Sequence, residues 1–180
     1  MPKIIGGLQE KILNEAKRQL FEKGYSLMTI RSVAKKCGVA AGTIYNYYPS
    51  KDHLVASFLL SDWIAMEKTF QRPNVQGTTP EAAFCLMYEG LMRFAREYQP
   101  LFSDKHPVFI AAAGFHARHK ELRERLAGII SGPCMRWAKS PSTFLNHFVA
   151  ESMLAWTMEQ RDFQEVWTVL GTLFEAEKGV

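Results

Sequence analysis

The segment Thr29–Lys51, TIRSVAKKCGVAAGTIYNYYPSK, largely determines how the rest of the chain is interpreted. Thr29 is a good helix N-cap because its hydroxyl can accept a hydrogen bond from an otherwise unpaired N–H in the first turn. Ile30 and Val33 then follow at the spacing of one apolar helical face. Gly38 suits the left-handed conformation that often ends a helix. The segment therefore predicts a short helix, a tight turn and a second helix.

The second helix of this pair is expected to present small side chains first and hydrogen-bonding side chains after them. Val39 and Ile44 anchor it to a small core. Bulk at its start would keep such a helix out of the DNA major groove, which is just wide enough to admit a helix. The residues left facing outward are Ala40, Ala41, Gly42, Thr43, Tyr45, Asn46 and Tyr47. This surface suits close approach to DNA.

The same residues carry a family resemblance. They are Thr29-Ile30, Ala34, Gly38-Val39, Gly42-Thr43-Ile44-Tyr45, Tyr47-Tyr48 and Ser50-Lys51. In this order and spacing they resemble the DNA-binding domain of the tetracycline-repressor (TetR) family. Together with the preceding helix, the resemblance covers the first third of the chain. Over the remaining two-thirds it is architectural only.

The resemblance implies several contacts to the DNA backbone. Thr29 and Lys51 look like phosphate contacts at helix N-termini, although Thr29 can also serve as a cap alone. Tyr45 and Tyr47 look like phosphate or sugar contacts. Tyr48 stands where the family pattern usually has a phenylalanine, so we expect it in the core.

Base contacts are implied at fewer positions. Gly42 permits close approach, and Thr43 can reach a phosphate or a base edge. Ala40 and Ala41 depart from the family, which commonly has a hydroxyl or basic side chain there; a methyl group can still touch the thymine methyl. Sequence specificity would then depend on DNA shape and on Thr43, Asn46 and Arg31.

The basic charge of the chain is concentrated at its N-terminal end. Residues 1–55 hold nine Lys/Arg against four Asp/Glu, whereas the remaining 125 residues hold 13 against 14. Neutralisation of phosphates requires such an excess, although a solvated helical face can produce the same count. The charge distribution therefore supports a DNA-binding N-terminal domain.

Composition predicts a folded chain inside the cell. Among 180 residues, 47% are hydrophobic, which is typical of a globular protein. No apolar run approaches the roughly 20 residues of a membrane span, and the N-terminus lacks the apolar core of a secretory signal. The three cysteines, Cys37, Cys85 and Cys134, are too few for a disulfide framework. We therefore expect a cytoplasmic protein that does not bind membranes.

Apolar periodicity and helix-start signals predict an all-α fold without strands. We expect a three-helix helix-turn-helix domain over 1–52 and a helical ligand-binding and dimerisation domain over 53–180. The first helix should end at Gly24, Pro100 should break the chain, and Gly132-Pro133 should break or kink it. The helices of the second domain are predicted at about 52–70, 79–98, 108–126, 142–159 and 162–178.

Aromatic and methionine side chains in the second domain suggest an effector pocket. For any one of them, ordinary core packing is the competing interpretation. The candidates are Phe58, Trp63, Phe84, Met87, Phe109, Phe115 and Trp137. The family resemblance implies that a small molecule binds there, and this lining favours a small apolar or aromatic effector.

The last two predicted helices are joined by a very short linker, so they should form an antiparallel hairpin. Each carries a bulky apolar stripe that could pair with a second copy of the chain. The candidate interface residues are Phe148, Trp156, Val166, Trp167 and Leu170.

The function predicted from these features is a homodimeric transcriptional repressor that a small-molecule effector releases from a palindromic operator. One alternative is a regulator that binds DNA and a partner without sensing a small molecule. A less favoured one is a metal sensor built on His116 and His119, with His106 or Cys134 as a distant ligand. We expect no cofactor and no enzymatic activity, because the sequence contains no nucleophile–base constellation.

Overall fold

A computed structural model describes residues 7–70, 79–103 and 113–175 of the chain. Within these ranges the fold is all-α, as predicted, and contains eight α-helices and one short 3₁₀ turn. The chain divides into two compact units. One comprises Met1–Asp62 and Gln99–Arg118, and the other comprises Trp63–Tyr98 and His119–Val180.

The helices follow the order expected from the sequence. They are α1 (Leu8–Leu27), α2 (Ile30–Cys37), α3 (Ala41–Tyr45), α4 (Lys51–Phe70), α5 (Pro80–Ser103), α6 (Ala113–Trp137), α7 (Thr143–Met158) and α8 (Phe163–Leu170).

The first unit is built on α1, whose buried face is the one predicted. Leu8, Ile12, Ala16 and Leu20 are all buried. The predicted end of the helix at Gly24 is partly right: Gly24 has φ 79° and ψ 166°, which interrupts the helix, but helical structure resumes and continues to Leu27. Only glycine adopts this backbone conformation without strain.

The second unit has its own hydrophobic core. Helices α5, α6, α7 and α8 each contribute fully buried side chains to it, and partly buried aromatic residues pack around them. At the centre lie Phe84, Leu126, Ile130, Val149 and Leu170, each no more than 1% exposed. This core positions the faces of α4, α5 and α6 that line the pocket described below.

The structure shows no helix break at two predicted positions; a kink at Gly132-Pro133, the other outcome predicted there, stays a prediction. Helix α5 continues through Pro100 to Ser103, and α6 continues through Gly132-Pro133 to Trp137. An interior proline usually costs about 3 kcal/mol because it removes one backbone hydrogen bond and crowds the preceding turn. In α6 the flanking side chains Ile130 and Cys134 are both fully buried. This burial stabilises the helix on both sides of the proline. The predicted start of this helix at about residue 108 lies outside the described residues.

The last helix is much shorter than predicted. Helix α8 ends at Leu170 and is followed by the 3₁₀ turn Gly171–Leu173 and an isolated antiparallel bridge between Ala138 and Phe174. Phe174 is only 3% exposed, and its ring lies 4.7 Å from that of Phe84. Burial of this ring in the core therefore replaces continuation of the helix. Residues 176–178 of the predicted helix lie outside the described part of the chain.

Across the described ranges, no helix combines the length and apolar character that crossing a membrane requires.

Candidate nucleic-acid interface and ligand pocket

Helix α2 begins with a complete capping box. The Oγ1 of Thr29 accepts a hydrogen bond from the Ser32 N–H at 3.0 Å, and the Oγ of Ser32 accepts one from the Thr29 N–H at 3.2 Å. At the other end, Gly38 has φ 73°, a left-handed conformation. Both ends of the helix are therefore specified by local residues, as the sequence predicts.

Helix α2 is tied to α1 by both apolar and polar contacts. Val33 is fully buried, while the Oγ of Ser32 donates to the Gln19 Oε1 at 2.5 Å. The Nζ of Lys11 donates to the Cys37 carbonyl at 3.1 Å, near the C-terminal end of α2. The turn after α2 is thus held at a defined place on α1.

Helix α3 turns one side inward and leaves small side chains on the outside. Ile44 is fully buried, whereas Ala40, Gly42, Tyr45 and Asn46 are exposed. A Cβ placed on Gly42 would meet no atom within 4 Å, so open space adjoins the helix there. The predicted outward surface also includes Ala41, Thr43 and Tyr47, which are half-buried.

Tyr48 is buried in the core of the first unit, with 5% of its surface exposed, as expected for a position that usually carries phenylalanine. Burial raises the pKa of its phenol. Tyr47 remains half-exposed beside it, with the ring centroids 6.3 Å apart. Adjacent tyrosines therefore divide into one core residue and one surface residue.

Lys51 is more enclosed than a simple phosphate contact would be. Its Nζ donates to the carbonyls of Tyr25 at 2.7 Å and Met28 at 3.1 Å, and it lies 3.9 Å from the centroid of the Tyr25 ring. Burial lowers the pKa of this ammonium group. One of its three N–H groups remains for the predicted phosphate contact. The main role that the structure gives Lys51 is to bind the chain at the end of α1.

Three basic side chains on α2 are exposed: Arg31, Lys35 and Lys36. They stand on the helix that precedes α3, and Arg31 lies in its first turn. Exposed cations near a surface of small residues suit contact with the phosphates of DNA.

A pocket of about 640 Å³ lies in the second unit, between α4, α5 and α6. Its apolar lining includes Phe70, Met87, Ile129 and Trp137, and its charged lining consists of Glu67, Arg125 and Arg136. Gly128, Gly132 and Pro133 complete it. A volume of this size accommodates a drug-sized small molecule.

An ion pair forms one part of the pocket wall. The Nε of Arg125 donates to both oxygens of Glu67, at 2.9 and 3.1 Å, and the Nη2 also contacts Oε2. The indole N–H of Trp63 donates to Glu67 Oε1 at 2.5 Å. Glu67 is only 5% exposed, so these donors compensate a carboxylate that is removed from water.

The N-terminal geometry agrees with the comparison to known proteins. Residues 12–58 match the family described as bacterial regulatory proteins, tetR family. The helix-turn-helix segment thus matches the TetR family. The matched residues include α2 and α3 in full, so the match covers the same helix pair as the predicted DNA contacts.

Curated relatives resemble about half of the chain or less. The sequence is 32% identical over 96 residues to the HTH-type transcriptional repressor KstR of Mycobacterium tuberculosis, covering 53% of this chain and 43% of that protein. It is 44% identical over 55 residues to the HTH-type transcriptional regulator YvdT of Bacillus subtilis, covering 31% of this chain and 28% of that protein. The chain thus spans less than half the length of these relatives.

Solved structures extend the similarity of the fold to nearly the whole chain. Thermus thermophilus FadR, a TetR-family repressor in complex with lauroyl-CoA, superposes with a TM-score of 0.65 at 18% identity, covering 96% of this chain and 98% of that one. The reduced form of Escherichia coli NemR superposes with a TM-score of 0.63 at 11% identity, covering 96% and 99%. At these identities, the comparison supports the TetR-family fold alone.

The structure separates the residues that were predicted to bind a ligand. Met87 and Trp137 line the pocket. Trp63 and Phe84 belong to the core of the second unit, and Phe58 is buried in the first unit. Their burial is what core packing, the competing interpretation, predicts, and a ligand contact by these three stays a prediction.

Other candidates fall where the side chains are not described. Phe109 and His106 lie outside the described residues. Phe115, His116 and His119 lie on α6, but the structure describes only their backbone. Among the described residues, no group of three or more His, Cys, Asp or Glu side chains is arranged to hold a metal ion.

Sequence reasoning missed the charged lining of the pocket. Arg125 ends the segment HKELRER (residues 119–125), whose charge pattern is typical of a solvated helix face, but its guanidinium binds the buried carboxylate of Glu67. A usable signal was present: Arg125, Gly128, Gly132 and Arg136 recur at the spacing of one helical face. The assumed break at Gly132-Pro133 hid this pattern.

The residues predicted to form the dimer interface differ in their exposure. Val166 and Leu170 are buried inside the unit, and Trp156 and Trp167 are half-buried against its core. Phe148 alone is well exposed, at 46%. It belongs to an exposed stripe along α7 that consists of Phe144, Phe148, Glu151, Ala155 and Met158.

Proposed function

We propose that this chain is a homodimeric transcriptional repressor that binds a palindromic DNA operator and leaves it when a small molecule occupies the pocket of the second unit. The observation that carries the proposal is the outward face of α3, where Ala40 and Gly42 leave open space at the helix start while Ile44 anchors the helix to the core. Such a helix can approach the floor of the major groove without steric obstruction.

Contacts to DNA are proposed in two layers. The hydroxyls of Tyr45 and Tyr47 bind phosphates or sugars, which position the helix without reading sequence. Arg31, a candidate for sequence specificity, is exposed on α2 and not on α3, so we assign it to a phosphate contact instead. Thr43 and Asn46 contact base edges, and the methyl groups of Ala40 and Ala41 pack against thymine. Thr29 and Lys51 offer their remaining donors to the phosphates, after the cap and carbonyl bonds that each already makes.

Selection of bound sites from random duplex DNA tests this proposal. We expect a palindrome whose half-sites lie about one helical turn apart, because each copy of the chain contributes one α3. Binding of the selected site should weaken steeply with added salt, since phosphate contacts release counterions. Failure to recover any sequence above random would instead favour the role in binding a protein partner.

The exposed stripe on α7 is proposed as the centre of the dimer interface. Phe144 is 80% exposed, Phe148 46% and Met158 62%, and they fall on one side of the helix. Two such stripes can pack antiparallel or crossed against each other by the ordinary rules of helix packing. Several large apolar side chains exposed on one helix face often mark a protein–protein interface.

Sedimentation velocity on Phe148→Lys tests the interface. We expect a dimer for the natural sequence and a monomer with unchanged helical circular dichroism for the variant, because the ammonium would be buried at the symmetry axis. Leu27→Lys is a matched control, since Leu27 is 70% exposed on the first unit and should tolerate the same change without dissociation. If the Phe148→Lys variant remains a dimer, the interface does not include this stripe of α7.

Release from DNA is proposed to follow from a shift in conformational populations. A ligand weakens DNA binding only if it binds more tightly to a conformation with low DNA affinity. The element suited to transmit this preference is α4, which begins at Lys51, just after the helix-turn-helix, and carries Glu67 and Phe70 of the pocket lining.

A further inference from the structure

The pocket of the second unit has an elongated wall along α6. Arg125, Gly128, Gly132 and Arg136 are spaced by three, four and four residues, which places them on one helical face. Since an α-helix rises 1.5 Å per residue, the two arginines stand about 16 Å apart along the axis. The pocket wall therefore has a charged residue at each end and two glycines between them.

No contact with the described residues requires glycine at the two central positions. A Cβ placed on Gly128 or Gly132 would meet no atom within 4 Å. Alanine is the better residue in a helix interior, so two glycines here act against the stability of α6. What their missing side chains do is to leave the helix backbone bare toward the pocket. Phe70, Met87 and Ile129 bound the same space with apolar surface.

The charges at the two ends are not equivalent. Arg125 is neutralised by Glu67, whose carboxylate is 5% exposed and also bound by the Trp63 indole. Arg136 is exposed, lies 4.8 Å from the centroid of the Trp137 ring, and has no carboxylate partner among the residues whose side chains are described. The pocket lining therefore carries one uncompensated positive charge, at the Arg136 end.

We propose that this pocket binds an elongated amphipathic carboxylate, with its head group on Arg136 and its apolar body along Gly128 and Gly132 toward the Arg125–Glu67 pair. A carboxylate matches the single excess charge and the planar donor fork of a guanidinium. The Trp137 ring orients that fork at the pocket. The expected effector is thus anionic at one end, not wholly apolar. Its action as an effector rests on the proposed function, but its binding does not.

Isothermal titration calorimetry of the full chain without DNA tests the binding. The probes are decanoate, decanol and decyltrimethylammonium, which share one apolar chain and differ in head-group charge. We expect decanoate to bind about tenfold more tightly than decanol, as a charge-assisted hydrogen bond provides, and the cation to bind least.

Two variants separate the head group from the body of the ligand. Arg136→Gln should lower decanoate affinity about tenfold, to that of decanol, and leave decanol unchanged. Gly132→Leu should abolish binding of both probes with an unchanged or raised Tm, because leucine fills open space and favours helix. Arg123→Gln is the control for the charge, since Arg123 pairs with Glu151 and does not line the pocket. Gly132→Ala is the control for helix propensity.

Three results would overturn the proposal: no heat of binding for decanoate, equal affinities for decanoate and decanol, or retained preference for decanoate in Arg136→Gln. None of these depends on DNA. If decanoate binds as expected but does not reduce operator binding in a parallel anisotropy titration, the site stands and the effector role in the proposed function fails.

Discussion

The two proposed sites both contain residues with little or no side chain, on surfaces of different shape. On the first unit, Ala40 and Gly42 are exposed on the outward face of α3, where we propose that DNA binds. In the second unit, Gly128 and Gly132 line a pocket, where we propose that a small molecule binds. The surrounding charge differs accordingly: several exposed cations suit a polyanion, whereas one uncompensated arginine suits a single carboxylate. Local backbone exposure is thus a common requirement, and the shape around it selects the partner.

Filling the bare surface of α3, the helix proposed to enter the major groove, should have the largest effect on DNA affinity. A Cβ at Gly42 would have no atom of the described residues within 4 Å, so the fold of the Gly42→Leu variant should persist, but the leucine would stand between α3 and the floor of the groove. We expect the affinity for the selected operator to fall about a thousandfold, toward non-specific binding, as measured by fluorescence anisotropy. Gly132→Leu is the matched control in the other unit and should leave the affinity without ligand unchanged. Tight operator binding by Gly42→Leu would show that α3 does not enter the groove.

Replacing Arg125, which is ion-paired to Glu67, should lower the stability of the second unit and leave the fold of the first unit intact. Arg125→Met leaves the Glu67 carboxylate buried with only the Trp63 indole as partner. We expect the free energy of unfolding, from urea denaturation, to fall by about 2–3 kcal/mol, because the arginine is itself partly exposed and the usual cost of breaking a buried pair is somewhat larger.

The double variant Glu67→Gln/Arg125→Met distinguishes the cause of that loss. It should recover most of the stability, since a neutral amide tolerates burial better than an unpaired carboxylate. No recovery would mean that the arginine stabilises the unit through packing and not through its charge.

Single proposed phosphate contacts on the first unit should contribute less to the affinity for DNA. Arg31→Ala removes one exposed cation from the first turn of α2, where no buried group depends on it. We expect operator affinity to fall about tenfold, uniformly across operator variants, and the slope of log K against log salt to decrease by about 1. Arg93→Ala, an exposed arginine of α5, should leave both quantities unchanged. A change in base preference would instead assign Arg31 to sequence reading.

The smallest effect concerns an ion pair between Glu15 and Arg18 on α1 of the first unit. Hydrogen bonds from the Arg18 guanidinium, at 2.9 and 2.6 Å, lower the pKa of Glu15 from 4.5 to about 2. Because the folded-state pKa is the lower one, the stabilisation is complete above pH 4.5 and is lost as the pH falls toward 2. The difference in unfolding free energy between the natural sequence and Glu15→Gln should therefore be at most about 1 kcal/mol at neutral pH and shrink over that range. A difference in unfolding free energy that does not change with pH would show that the charge of Glu15 does not cause the stabilisation.

The helix-turn-helix of the first unit was predictable because the residues that determine it act locally. The cap at Thr29, the left-handed Gly38 and the buried Ile44 each act within a few residues of their position, and all three have the predicted structure. The enclosure of Lys51 was not predictable, because the carbonyls that bind it come from the end of α1. Propensity rules also overestimated the breaking effect of Pro100 in α5 and of Gly132-Pro133 in α6; in α6, Ile130 and Cys134 are buried on either side of Pro133.

The amino-acid sequence by itself therefore determined the all-α class, the order of the helices, the helix-turn-helix and its resemblance to the TetR family, since these depend on short-range periodicity, capping and motif spacing. Only the tertiary structure decided which apolar residues form the core and which line the pocket. Phe84 and Met87 are both buried and stand three residues apart on α5, yet only Met87 reaches the pocket. Likewise, Arg125 looks solvated in sequence and becomes a fixed part of the wall because Glu67, 58 positions away, is buried opposite it. Such roles arise from contacts between distant helices, which no local pattern in the sequence records.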